Sequence, residues 1–254
     1  MKPFYKRFLT LILSVSVILL CSCSPNRQIS SDETTQTPDE TSLLNKEQYS
    51  DKPLVIGVAG ASASGKTSLC RYIANKQKDI VILDLDSFYK PLNRKQHEQA
   101  LNNNYNFDCP KALDLELAVK CLKQIINSDF PVRIPKYCFG SHKRDGYSQI
   151  IKTKPRLILI DGLFALHNKK LLELIDIKVF MDCDLDVCLA RRILRDIKER
   201  GDNLENTIGM WFKYVKPAYE RLVKPTSKFA DIIMPSSISV EEQFLKLQKY
   251  ITTA

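Results

Sequence analysis

The segment Gly60-Ala61-Ser62-Ala63-Ser64-Gly65-Lys66-Thr67-Ser68 has the residues to hold a triphosphate. Its pattern, GxxxxGK[ST], is that of a phosphate-binding loop. Glycines at 60 and 65 permit backbone angles that turn successive N–H groups toward one anion. Lys66 can reach the β- and γ-phosphates, and the Thr67 hydroxyl can ligate Mg²⁺. A ligand-free Gly/Ser turn would have no evident need for Lys-Thr at its end. Two aspartates follow, each after an apolar run. Asp86 could accept the proton of an attacking hydroxyl or orient that hydroxyl toward phosphorus. Asp161, in Leu159-Ile160-Asp161-Gly162, could bind Mg²⁺ directly or through water. Either could instead cap a turn. Arg192 and Arg195 stand i and i+3 on one expected helix and share a face, with Arg200 at its end. Such a cluster can clamp phosphate and stabilise a transferring group. The alternative is a solvated charged face, since Asp196, Lys198 and Glu199 are interleaved.

These side chains need a scaffold, and the apolar pattern supplies one. Residues 54–59, 80–85, 156–161, 177–181 and 231–234 read as buried strands. Helices are expected after the phosphate loop to about residue 75, from the Asp114 cap over 115–126, and from the Asp184 cap to about residue 200. Two more are expected over 204–223, with a break near Pro217, and over 240–251. Residues 87–110 read as irregular with a short helix near 95–101, and 132–139 as a short strand-like piece. Apolar strands alternating with amphipathic helices imply an α/β fold: a five-stranded parallel sheet sandwiched by helices. The first strand-loop-helix is where a ligand should sit.

Four blocks carry a family resemblance: Leu85-Asp86-Ser87-Phe88-Tyr89-Lys90, Asn106-Phe107-Asp108, Ile134-Pro135-Lys136-Tyr137, and Ala190 through Arg192, Arg195 and Arg200 to Gly201. In this order, together with the loop, they resemble the uridine kinases of the phosphoribulokinase/uridine kinase group. The resemblance runs from about residue 53 to 235. It implies the P-loop NTPase fold with a helical lid and a small nucleoside-binding insertion. It implies an ATP-dependent (or GTP-dependent) kinase that uses Mg²⁺ and phosphorylates the ribose 5′-hydroxyl of uridine or cytidine. Asp86 would face that hydroxyl, Arg192 would lie near the ribose, and Arg195 and Arg200 would lie near phosphate. Tyr89, Phe107, Asp108, Tyr137 and His142 would form the nucleoside pocket, with Asp108 accepting from the ribose hydroxyls and Tyr137 and His142 bonding the base edge. A homo-oligomer is also implied, since the group often forms tetramers.

The pattern departs from the group at several places. Asp161 stands where Glu is usual. Asp202 and Met210 stand where Arg and Gln are usual, and Cys109 and Cys138 interrupt the FDHP and YDF patterns. The phosphoryl-transfer residues are thus retained and the base-reading ones altered. A changed nucleoside preference or weak uridine/cytidine turnover is expected, because lost hydrogen bonds to substrate are costly. A kinase for another riboside or sugar phosphate, or a tethered nucleotide-binding protein with little turnover, are the competing readings.

The net charge of +9 favours anionic partners. There is no basic stripe interleaved with aromatics, so nucleic acid is not expected. Beyond the leader the cysteines form no CxxC pair and the histidines are scattered, which argues against a zinc site. Residues 1–23 read as a signal or lipoprotein-like leader: basic Lys2, Lys6 and Arg7, an apolar run, then Leu20-Cys21-Ser22-Cys23. Membrane attachment through a lipid on Cys23 is the expectation. An uncleaved anchor, a plain signal peptide, or a wrongly assigned start that leaves the protein cytoplasmic remain alternatives. Residues 24–52 read as a disordered acidic linker, and 53–254 as the kinase domain.

Overall fold

The computed structural model describes residues 52–253, so the leader and all but the end of the linker lie outside the described residues. β1 (Leu54–Gly60) is an unbroken apolar run, and all but its first residue are buried. That pattern suits a parallel strand covered on both faces. It is the middle strand of a five-stranded sheet. On one side lie β5 (Leu157–Asp161) and then β2 (Ile80–Asp84); on the other lie β6 (Ile177–Asp182) and then β7 (Ile232–Pro235). All four pairings are parallel. The register sets Val58 and Asp84 each opposite Asp161, and Gly60 opposite Met181. The carboxyl ends of β1, β2 and β5 therefore share one edge, where a ligand crevice is expected in an open α/β sheet.

Alternation along β1 divides the core. Val55 and Ala59 pack on the face with Leu83, Phe88, Leu122, Phe164 and Trp211. Ile56 and Val58 pack on the other face with Leu69, Ile73, Met234 and Leu247. The second face is covered by α1 (Lys66–Lys76) and α8 (Val240–Thr253). On the first, α3 (Leu115–Ile126) buries Leu115, Ala118, Val119, Leu122 and Ile125 of the expected stripe and half-buries its last member, Ile126, and the Asp114 side chain accepts from the Leu117 N–H. The short α2 (Arg94–Leu101) begins on an Asn93 capping box. A four-residue α4 (Lys169–Leu172) was not expected.

The structure corrects three local readings. β3 (Val132–Cys138) is half of an antiparallel hairpin whose second strand, β4 (Lys143–Ile151), was not expected. β4 buries only Ile151, so it lacks the apolar signature and owes its form to β3. Asp184 precedes α5 (Leu185–Arg200), but its side chain makes no capping bond. Finally, the chain does not break at Pro217. α6 (Leu204–Met210) runs through a wide π turn at Trp211–Val215 into α7 (Lys216–Ala218) and a second π turn at Tyr219–Val223. The buried residues Trp211, Val215, Tyr219 and Val223 recur every fourth position. A 3.6-residue turn would rotate such a repeat off the core, whereas widened turns hold it there and accommodate the proline ring. No described helix is long and apolar enough to cross a membrane.

Candidate active site

The phosphate loop starts where β1 ends. Gly60 has φ +142°, and a Cβ there would lie 2.6 Å from the Met181 carbonyl oxygen, so no side chain fits. Gly65 (φ +102°) turns the chain into α1, whose first turn lines the crevice. Lys66, the first residue of α1, is only 6% exposed. Its Nζ donates to the Ala61 carbonyl at 2.6 Å. Burial lowers the lysine pKa, while the charges of Asp161 and Asp86 oppose that shift.

Asp161 is 3% exposed, and the Thr67 side chain hydrogen-bonds it. Burial raises its pKa; Lys66 and the Thr67 bond lower it. A hydroxyl and a carboxylate side by side suit a hard cation such as Mg²⁺. Among the described residues no group of three His, Cys, Asp or Glu side chains forms a metal site on its own.

Asp86 lies in a 3-10 turn, Leu85–Phe88, set directly on the end of β2. Asp84, which the sequence reading passed over, shapes this turn by accepting the Asp86 N–H at 2.9 Å. The only sequence signal was a second aspartate two residues earlier at the strand end. Enclosure by the crevice, then the charges of Asp86 and Asp161, push Asp84 up to about 7, although its carboxylate still meets crevice solvent. An aspartate whose folded-state pKa is raised binds its proton more tightly folded than unfolded. It therefore costs stability as pH climbs from about 4 toward 7. Asp84→Asn keeps the acceptor and removes the charge. Its melting temperature should exceed wild type by a margin that widens from pH 5 to pH 7 and then levels. A margin independent of pH would refute this account.

The turn is also held from outside. Arg144 on β4 donates to the Phe88 and Tyr89 carbonyls, each at 2.9 Å, and pairs with Asp114 at 3.4 Å. The hairpin thus braces the segment that carries Asp86 and Tyr89. Neither Arg144 nor its role was legible in the sequence.

Helix α5 faces the crevice with Arg191, Arg192, Arg195 and Arg200. Arg191 reaches the Cys183 sulfur at 3.7 Å, while the other three converge on Asp196, itself 3% exposed. Arg195 Nη2 lies 2.8 Å from its Oδ1, Arg200 Nε 3.5 Å from Oδ1, and Arg192 Nε 3.1 Å from Oδ2. The solvated-face alternative is thereby excluded for Asp196, whereas Lys198 and Glu199 are exposed. Arg192 also donates from Nη1 to the Ser62 hydroxyl at 3.0 Å, so it touches the phosphate loop as well as acting on Asp108. Burial lowers the Arg200 pKa, with the Arg195 charge adding to it.

Aromatic rings form the far wall. Tyr89 packs on Tyr137 (5.2 Å between centroids), Phe107 (5.8 Å) and Phe139 (5.9 Å), and Phe107 stacks on His142 at 5.3 Å. Asp108 is buried beside them; burial raises its pKa and Arg192 partly offsets that. Tyr89, Phe107, Asp108 and Phe139 line the cavity, while Tyr137 and His142 stand behind that wall. The Tyr137 hydroxyl and His142 Nδ1 are buried and lack a protein partner. Phe139, not singled out from sequence, carries the Arg200 guanidinium 4.7 Å above its ring.

One cavity of about 660 Å³ joins these parts. It runs from Phe107 and Asp108 past Asp86 to residues 62–68, and on to Ser236, Ile238, Val240 and Gln243 after β7, a stretch the sequence reading did not include. Asp202 is not on its wall. Its Oδ1 accepts the Asn203 N–H at 2.9 Å and its Oδ2 the Thr207 hydroxyl at 3.4 Å, at the start of α6. Met210 is absent from the wall too. The charge expected to oppose a base is therefore spent on a helix terminus.

A family model described as the phosphoribulokinase / uridine kinase family matches residues 55–242. A uridine kinase of Saccharomyces cerevisiae is 42% identical over 186 residues, which is 72% of this chain and 37% of the yeast protein. A uridine kinase of Oceanobacillus iheyensis is 35% identical over 208 residues, 79% of this chain and 97% of that protein. The chain thus matches little more than a third of the yeast relative and nearly all of the bacterial one. Among solved structures, phosphoribulokinase from Rhodobacter spheroides superposes with a TM-score of 0.53 at 17% identity, covering 77% of this chain and 75% of that one. At that identity the likeness concerns the fold alone.

Proposed function

The chain belongs to the phosphoribulokinase/uridine kinase family, and we propose that it transfers the γ-phosphoryl group of ATP (or GTP) to the 5′-hydroxyl of a pyrimidine ribonucleoside. The observation that carries this reading is the single cavity joining the phosphate loop, Asp86 and the Asp108–Phe107 wall. Donor and acceptor can meet there without leaving the enclosure.

Each residue then has a task. The N–H groups of residues 61–66 and the α1 terminus hold the donor phosphates. Lys66 moves from the Ala61 carbonyl to the β- and γ-phosphates. Thr67 and Asp161 would hold Mg²⁺, which would supply positive charge against that of the phosphates. Asp86 accepts the proton of the 5′-hydroxyl. Arg195 and Arg200 stabilise charge on the transferring group. Arg192 and Asp108 orient the ribose, and the rings of Tyr89, Phe107 and Phe139 pack the base.

The withdrawal of Asp202 and Met210 leaves base reading to the aromatic wall and the unpartnered Tyr137 and His142. Steady-state rates of the full-length chain with ATP and a panel of nucleosides test this. Ribosides should exceed their 2′- and 3′-deoxy analogues, since Asp108 needs a diol, and uridine and cytidine should show raised KM. Ordinary KM for both pyrimidines would end the idea of altered specificity. Absence of turnover with every riboside would favour the non-catalytic, nucleotide-binding alternative or a kinase of sugar phosphates.

We also propose a lipid anchor at Cys23, supported by the basic-apolar-Cys pattern of residues 1–23, and, from the resemblance to uridine kinases, a homo-oligomeric state. Metabolic lipid labelling should vanish in Cys23→Ala; undiminished labelling would place the protein by another route, the cytoplasm included.

A further inference from the structure

We infer that Asp196 is a positioning residue that assembles the lid arginines over the phosphate loop before any nucleotide arrives. Three guanidiniums within about two helical turns repel one another, and free arginines would spread into solvent. Here they do not spread. A single buried carboxylate lies 2.8–3.5 Å from Arg192, Arg195 and Arg200; Arg195 hydrogen-bonds it, whereas Arg192 Nε is close without hydrogen-bonding geometry and pairs by charge. Arg195 approaches it through both Nε and Nη2. Arg192 extends the assembly across the crevice to Ser62 at 3.0 Å, tying α5 to the phosphate loop. Arg200 extends it the other way, onto the Phe139 ring.

Charge completes the case. Within this cluster three positive groups and one negative group leave two positive charges in excess, and Asp108 and Asp86 act on Arg192 and Arg200 from across the same cavity. A buried carboxylate is retained only when paired, and here the pairing spends one charge to fix the placement of three. A triphosphate entering the crevice would meet donors already in place, so little ordering is needed at binding or at the transition state. This inference rests on the triphosphate site of the proposed function but not on its acceptor.

Opposite signs separate positioning from simple electrostatics. Asp196→Asn removes a negative charge near the phosphate site. Charge alone would tighten the binding of an anion; lost positioning would weaken it. The measurement is calorimetric binding of inorganic tripolyphosphate to the full-length chain, well below its melting temperature. We expect binding weaker by about tenfold or more, as for loss of one charge-assisted contact, with a parallel fall in kcat. Unchanged or tighter binding by a folded variant would overturn the inference. If Asp196→Asn does not fold, Asp196→Glu keeps the charge and shifts it by one methylene. Weakened binding then supports positioning, and wild-type binding overturns it. Failure of the wild-type chain to phosphorylate any nucleoside would count against the proposed function and leave this measurement standing, since it uses no acceptor.

Discussion

Asp86→Asn lowers kcat by roughly 10²–10⁴-fold, the range for removing a general base, while triphosphate affinity stays the same or rises. The two halves follow from one geometry. Asp86 sits on the cavity between the phosphate loop and Asp108, in a turn fixed by the Asp84 side chain and by Arg144 on the Phe88 and Tyr89 carbonyls. Asparagine has the same shape and keeps the backbone N–H that Asp84 accepts, so the turn should persist. What is lost is the carboxylate that can take a proton. Removing it also removes a negative charge that acts on Lys66, so an anion is repelled less. Single-turnover rates with saturating donor and acceptor, paired with calorimetric binding of ATP, read both effects. A kcat within about threefold of wild type, well short of the general-base range, would remove Asp86 from the chemistry.

Lys66→Met is the second large effect, and here stability and activity move apart. The lysine is buried, and burial lowers its pKa because a charge there is poorly solvated. Methionine matches the stem's length and apolar character; it gives up the 2.6 Å bond to Ala61 and the attraction of Asp161 and Asp86, which burial of the charge outweighs. The unliganded variant should therefore melt at or above the wild-type temperature. Activity should nevertheless fall by at least about 10²–10³-fold, as when an enzyme loses one donor aimed at developing charge. Stabilisation by added ATP should shrink as well, because ligand stabilisation follows affinity. Thermal melts with and without ATP, beside steady-state rates, would show it. A variant that keeps wild-type kcat would refute the role given to Lys66, and one that unfolds would refute the view that its burial is a cost.

The sequence went furthest where chemistry is local. The phosphate loop, the five strands and the Asp114-capped helix were legible because each obeys a short-range rule: glycine spacing, unbroken apolar runs, or a 3.6-residue stripe above a cap. β4 was not legible, since an exposed strand held by its partner has no apolar pattern of its own. The continuous helix through Pro217 was misread because proline alone signals a stop. Only the four-residue spacing of Trp211, Val215, Tyr219 and Val223 hinted at the wider turns that accommodate it.

The site divides in the same way. The sequence by itself determined that the chain has a loop able to hold a triphosphate, a carboxylate after the second strand and arginines on one helical face. Only the tertiary structure decided how these work together. It brought Asp161 beside Thr67, set Asp84 beneath Asp86, drew Arg192, Arg195 and Arg200 onto Asp196, and turned Asp202 back to its own helix. Those outcomes join residues up to 130 positions apart, as in the bond between Arg192 and Ser62, or choose between two uses of one side chain. The physical reason is burial. An aspartate in a charged run looks alike in sequence whether it is solvated or enclosed by guanidiniums. Only the packed environment sets its partners.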